Sequence, residues 1–263
     1  MSIWKDCFME AQICGLKTEY LISGNGDIPV VLLHGWGSSF EVYKGVMAAL
    51  GDRCKFYAVN FPGCGGSEIM PEPWDISGYC DFVLEFLKAV GVHSEKAVFI
   101  GHSHGGRVIL ALAGKGLIKP QKIVLIDSAG IVAEKTKKQK RRAKNFKRIK
   151  KLLSLPGIRN FSGGLLNAAR RHYGSADYNA APLVLRSTMV SLVNTDLRDI
   201  ICNIKCPTLL IWGENDTDTP LSSANVIKEK ISDCGLCVIK GTGHFSFCEK
   251  PYEAHAILRA FIK

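Results

Sequence analysis

The chain has 263 residues, ten of them cysteine, with 47% hydrophobic residues, 22% charged residues and a formal net charge of +10. This length supports a full core and suits one α/β domain with an insertion, and the near-average composition excludes a disordered or fibrous chain. The charge is local: residues 135–151 hold eleven Lys or Arg and no acid, and subtracting them from +10 leaves −1, which argues against a generally cationic nucleic-acid coat.

The N-terminal stretch MSIWKDCFMEAQ lacks an apolar core behind a basic start, and nowhere do about 18 apolar residues run together, so an unprocessed, cytoplasmic chain is expected. Two antiparallel strands are predicted near Cys7 to Ile13 and Thr18 to Ile22. Short apolar, β-branched runs then alternate with helical patterns, which predicts an α/β fold of parallel strands joined by crossover helices. The buried strands are expected at Pro29 to Leu33, Phe56 to Asn60, Ala97 to Ile100, Ile123 to Ile126, Thr208 to Trp212 and Cys237 to Lys240. Most end in Gly, Asn, Asp or Pro, so the chain turns at the carboxyl edge of the sheet, where open α/β sheets bind ligands. Helical spacing marks Asp81 to Val90, through Phe82, Val83, Phe86, Leu87 and Val90, and returns in Ala254 to Ile262.

From residue 131 to 199 the alternation stops, with helix-like stretches and the basic run but no buried strand. A helical cap insertion over 131–199 is therefore expected on a core formed by 1–130 and 200–263. Phe146, Ile149 and Leu153 fall on one side of a helix whose remainder is cationic. That cationic side reads as a solvated face, with attraction to an anionic surface or substrate as its functional alternative. No aromatic ladder or recognition motif accompanies it to favour nucleic acid.

Gly101-His102-Ser103-His104-Gly105 lies between the apolar run Ala97-Val98-Phe99-Ile100 and the helix-like stretch RVILALA. A serine hydroxyl is a weak nucleophile at its own pKa, so it must project from a sharp turn toward a base, and glycines two residues to either side relieve crowding there. Alone, the pattern also fits a plain connection or a phosphate turn, although neither a P-loop ending nor G-x-G-x-x-G spacing is present. Four further segments accompany it: His34-Gly35-Trp36-Gly37, Asn60-Phe61-Pro62-Gly63-Cys64-Gly65-Gly66-Ser67, Gly213-Glu214-Asn215-Asp216 with Pro220, and Gly241-Thr242-Gly243-His244-Phe245.

In this order and spacing the five segments resemble the α/β-hydrolase superfamily, in its serine-nucleophile, capped esterase- or lipase-like form, over roughly residues 18–130 and 200–263. The resemblance implies a mostly parallel central sheet flanked by helices. It also implies a triad running Ser, acid, His along the chain, here Ser103, Asp216 and His244, with Asp218 and Asp127 as competing acids. His34, His102 and His104 belong to the turns, and His93, His172 and His255 lie outside the strand-end loops. The implied oxyanion donors are the backbone N–H groups of Trp36 and His104. Arg107, one helical turn past Ser103, is similar to an Arg in the synthase of menaquinone biosynthesis that eliminates pyruvate from an anionic substrate. A substrate carboxylate is therefore its functional reading, and pairing with a nearby carboxylate its plain one.

The expectation is hydrolysis of a carboxylic ester or related small acyl substrate through an acyl-enzyme, with no metal or organic cofactor. Carbon–carbon bond hydrolysis or elimination chemistry on an anionic substrate is the enzymatic alternative, and a ligand receptor on the same fold the non-enzymatic one. Cys202, Cys206, Cys234 and Cys237 have zinc-like intervals, but scattered cysteines in a chain without an export signal read as reduced thiols.

Overall fold

The computed structural model describes residues 6–132 and 181–263, together with Arg141, Lys144, Asn145 and Arg148. Eight strands form one sheet: β1 (Cys7–Ile13), β2 (Leu16–Ser23), β3 (Ile28–Leu33), β4 (Cys54–Val59), β5 (Val98–His102), β6 (Lys122–Ile126), β7 (Thr208–Gly213) and β8 (Cys234–Ile239). Their spatial order is β1-β2-β4-β3-β5-β6-β7-β8. β1 with β2 and β2 with β4 pair antiparallel, and every later pair is parallel. The chain moves outward from β3 to β4 and then returns to the other side of β3 for β5. That reversal opens a crevice at the carboxyl ends of β3 and β5, the usual place for a ligand in such sheets.

The helices are α1 (Lys44–Leu50), α2 (Ile76–Ala89), α3 (His104–Gly114), α4 (Leu183–Val193), α5 (Leu221–Lys230), α6 (Ser246–Glu249) and α7 (Pro251–Phe261). Because side chains alternate along a strand, each central strand feeds two cores. Val31, Leu33, Phe99, Leu125, Leu210 and Trp212 pack with Phe82, Phe86 and Ile109 of α2 and α3. Val30, Leu32, Ile100, Val124, Ile126 and Ile211 pack with Val46, Met47 and Leu258 of α1 and α7. Apolar side chains on both faces explain why these strands read as continuous hydrophobic runs rather than alternating ones.

The helix starts lie earlier than the apolar spacing indicates. Asp75 caps α2 by accepting from Ser77 N at 2.8 Å and Gly78 N at 3.2 Å, a contact worth about 0.5–2 kcal/mol. Buried Ile76, Tyr79 and Cys80 extend the apolar face to that cap. α7 opens on Pro251, whose missing N–H costs nothing in the first turn. Of the expected insertion, α4 is helical, and Arg141, Lys144, Asn145 and Arg148 are helical and exposed. Phe146, Ile149 and Leu153 lie outside the described residues. Among the described residues no helix is long and apolar enough to cross a membrane.

Candidate active site

β5 ends at His102 and α3 begins at His104, so Ser103 alone makes the turn, with φ 49° and ψ −111°. A non-glycine residue in such a conformation costs about 1–3 kcal/mol, which the surroundings must supply. Ser103 N donates to Ile126 O at 3.1 Å, and Ser103 O accepts from Arg107 N at 3.1 Å and Ala129 N at 3.0 Å. The flanking glycines let the helix approach: a Cβ on Gly101 would stand 2.6 Å from Gly106 N, and one on Gly105 would stand 1.9 Å from Leu33 O.

The loops after β7 and β8 bring Asp216 and His244 to this turn. His244 Nδ1 lies 2.8 Å from Asp216 Oδ2, and His244 Nε2 lies 3.0 Å from Ser103 Oγ. An ionised carboxylate only accepts, so Nδ1 carries the ring proton and Nε2 is free to accept from the serine hydroxyl. Asp216 also accepts from Asp218 N at 2.8 Å, Thr219 N at 3.0 Å and Thr219 Oγ1 at 2.6 Å. Burial raises the Asp216 pKa, but the bonds from His244 and Thr219 outweigh it and hold the carboxyl below its ordinary value. Burial likewise pulls His244 down, and the Asp216 contact overrides it, leaving the imidazole above its usual value.

The competing acids stand elsewhere. Asp218 is exposed and contributes its backbone N–H to Asp216. Asp127 is buried with φ 45°, and its carboxylate accepts from Gly213 N at 2.7 Å, Ser246 N at 3.0 Å and Ser246 Oγ at 2.6 Å. Burial pushes Asp127 up to about 7 against those bonds. Two positioning groups escaped the sequence reading. Thr219 braces Asp216, and His102 Nε2 lies 2.8 Å from His244 O, tying the strand before the serine to the histidine loop. A Thr three residues past an acid and a His beside a Ser carry no sequence signal of these contacts.

His104 opens α3, so its N–H is a first-turn amide without an intrahelical acceptor. Trp36 N lies in the loop after β3, and neither amide donates to a backbone acceptor among the described residues. The Trp36 indole packs edge-on to the His104 ring, 5.7 Å between centroids, as a wall. Arg107 lines the same cavity as Ser103 and His244, a space of about 580 Å³. Its buried Nε has no hydrogen-bond partner, and burial pulls its pKa down to about 10. The nearby-carboxylate reading of Arg107 therefore fails among the described residues.

Among the described residues, the one cluster spaced to hold a cation is Asp216, Asp218 and His244, two of which are already engaged with each other. Cys202, Cys206, Cys234 and Cys237 form no such cluster and are free thiols.

The sheet order and the strained strand-to-helix turn at Ser103, faced by a histidine and a buried aspartate from two later strand-end loops, are an arrangement that nucleophilic chemistry can use. The profile of the alpha/beta hydrolase family matches residues 30–256, and the chain is an enzyme of that family. It is 24% identical over 272 residues to a pimeloyl-[acyl-carrier protein] methyl ester esterase of Wigglesworthia glossinidia brevipalpis, covering 92% of this chain and 96% of that one. Similar solved folds include a membrane phospholipase A described as a bacterial virulence factor, with a TM-score of 0.75 at 22% identity over 98% of this chain and 86% of that one. Another is the enol-lactonase from Burkholderia xenovorans, with a TM-score of 0.73 at 20% identity over 97% of this chain and 99% of that one.

Proposed function

We propose that the protein is a serine ester hydrolase acting on small acyl substrates, with Ser103 as nucleophile, His244 as general base and acid, and Asp216 as the group that orients His244. The observation that carries this reading is the unbroken hydrogen-bonded chain from Asp216 Oδ2 through both His244 nitrogens to Ser103 Oγ. As Ser103 Oγ attacks the ester carbonyl carbon, His244 Nε2 takes its proton, and Asp216 stabilises the imidazolium. The N–H groups of Trp36 and His104 hold the developing oxyanion, each worth about 2.7–4 kcal/mol in the transition state. The tetrahedral adduct collapses, His244 returns the proton to the leaving alcohol oxygen, and water attacks the acyl-serine by the same route. No residue of this cycle calls for a metal or an organic cofactor.

The esterase among the relatives and the enol-lactonase among the similar folds support ester-type substrates as a class. Arg107 narrows that class. A buried guanidinium whose Nε lacks a partner among the described residues is costly, and in this cavity the substrate itself can bring the anion.

The test is Ser103→Ala. Turnover of p-nitrophenyl acetate falls by about 10⁴-fold or more, while circular dichroism and the melting temperature stay close to wild type. Unchanged turnover in that variant overturns the assignment.

A further inference from the structure

We propose that the site divides its substrate at the scissile bond: a small aromatic or apolar acyl group enters a side cavity walled by Trp36, Phe61, Tyr79 and His104, and an anionic alcohol portion lies against Arg107. This rests on the serine hydrolase reading above and adds the orientation and chemical class of the substrate.

Among the described residues, a cavity of about 580 Å³ and one of about 270 Å³ are both lined by Gly35, Trp36 and His104. They therefore meet at the loops that carry the two oxyanion amides, where the scissile carbonyl must sit. Ser103, His244 and Arg107 line the larger cavity and are absent from the lining of the smaller one. Proton transfer fixes the orientation. The leaving alcohol oxygen has to reach His244 Nε2 to be protonated, so the alcohol occupies the larger cavity. The acyl substituent takes no proton and is free to extend from the carbonyl into the other.

Size and chemistry agree with that division. Complete small-molecule sites occupy about 300–1,000 Å³, so the larger cavity suits the body of a ligand and the smaller one a single substituent. The described walls of the small cavity carry no charge near neutral pH. Burial pulls His34 down to about 4, and its ring is occupied, with Nε2 accepting from Phe61 N at 3.0 Å and Nδ1 lying 2.7 Å from Gly35 O. Burial pushes the Cys64 thiol up to about 11 and holds His104 well below the ordinary histidine value. Tyr79, Phe61 and Trp36 pack around the His104 ring at centroid distances of 4.5, 5.2 and 5.7 Å. Such a wall accepts a flat apolar group and penalises an anion. The Arg107 guanidinium stays cationic near neutral pH, and its buried Nε has no hydrogen-bond partner among the described residues.

The experiment compares two esters that carry an aromatic ring and a carboxylate on opposite sides of the scissile bond. In O-benzoyl glycolate the acyl group is aromatic and the alcohol bears the carboxylate; in monobenzyl succinate the acyl group bears the carboxylate and the alcohol is aromatic. Wild type is expected to favour O-benzoyl glycolate in kcat/KM by roughly 10- to 100-fold, the range of a charge-assisted hydrogen bond. Replacing its carboxylate by a carboxamide removes that advantage without touching the protein, and Arg107→Met removes it from the protein side. Leu185→Trp, which fills the small cavity from α4, lowers the benzoyl ester relative to the acetyl ester of glycolate. Equal or reversed preference, or a preference untouched by Arg107→Met and by the carboxamide, overturns the division while Ser103→Ala still governs turnover. Hydrolysis of neither ester overturns it as well; if Ser103 also resists a fluorophosphonate label, the hydrolase reading falls with it.

Discussion

Two buried aspartates stand at the ends of neighbouring strands, Asp127 after β6 and Asp216 after β7, and their surroundings shift them in opposite directions. Asp127 accepts three hydrogen bonds, all from neutral donors, and burial drives its pKa up to about 7. Asp216 accepts comparable bonds from Asp218 N, Thr219 N and Thr219 Oγ1, yet it is held below its ordinary value. Asp127 is the more deeply buried, and Asp216 alone bonds to His244, a partner able to carry a positive charge. Neutral donors do not offset the burial of Asp127, whereas at Asp216 a chargeable ring adds to them and the shift runs downward. Asp127 serves instead as a clamp: its bonds to Gly213, at the end of β7, and to Ser246, two residues past His244, fix the roots of both loops that complete the site.

Removing each charge breaks the comparison in different observables. Asp216→Asn is expected to lower kcat by about 10⁴-fold, because an amide can turn its N–H₂ to the ring and hold the wrong tautomer. Steady-state turnover of p-nitrophenyl acetate measures it, and a loss below about tenfold would remove Asp216 from the triad. Asp127→Asn should cost stability more than chemistry. Its amide nitrogen faces either Gly213 N–H or Ser246 N–H, donor against donor, a loss of about 1–3 kcal/mol. The sign with pH is set by the raised value. A carboxyl whose folded pKa is about 7 binds its proton more tightly than in the unfolded chain, so wild type loses stability as pH rises from about 4 toward 7. The variant lacks that dependence, so the gap in urea denaturation narrows over the same interval. A gap that widens would show Asp127 ionised in the fold.

The parts of this site that were legible in the sequence are those where backbone geometry restricts the residue type. The turn at Ser103 tolerates only glycine at 101 and 105 because a Cβ would strike Gly106 N or Leu33 O, and Ser103, Asp216 and His244 follow a fixed chain order. The central strands were legible because both of their faces are buried, though β8 begins at Cys234 rather than Cys237: it is an edge strand, half exposed, and its first residues lack the apolar run. Side-chain braces were not legible. Thr219, Asp127 with Ser246, and His102 act through distances set by loops far apart in the chain. Nor could the sequence choose between the two readings of Arg107, since that turns on whether a carboxylate from some other element happens to reach it.

The smallest effect lies in the titration of His244, and it separates the two aspartates most finely. Burial lowers this imidazole, and the contact with Asp216, followed by the charges of Asp218 and Asp127, raises it past 6.5. His244 must be unprotonated to take the serine proton, so the acid limb of kcat/KM should lie above 6.5. NMR titration of the ring in Ser103→Ala reads the value without turnover. In Ser103→Ala with Asp216→Asn, only the weaker charges of Asp218 and Asp127 oppose burial, and the midpoint drops. In Ser103→Ala with Asp127→Asn it moves down only slightly, since Asp127 acts through space and without a bond to the ring. Linkage gives the matching stability: a raised histidine pKa contributes fully below the unfolded value of about 6.5 and fades as pH climbs through the folded one. If the two double variants shift the ring equally, the charge on His244 is set by the field of the whole acidic cluster and not by its bonded partner.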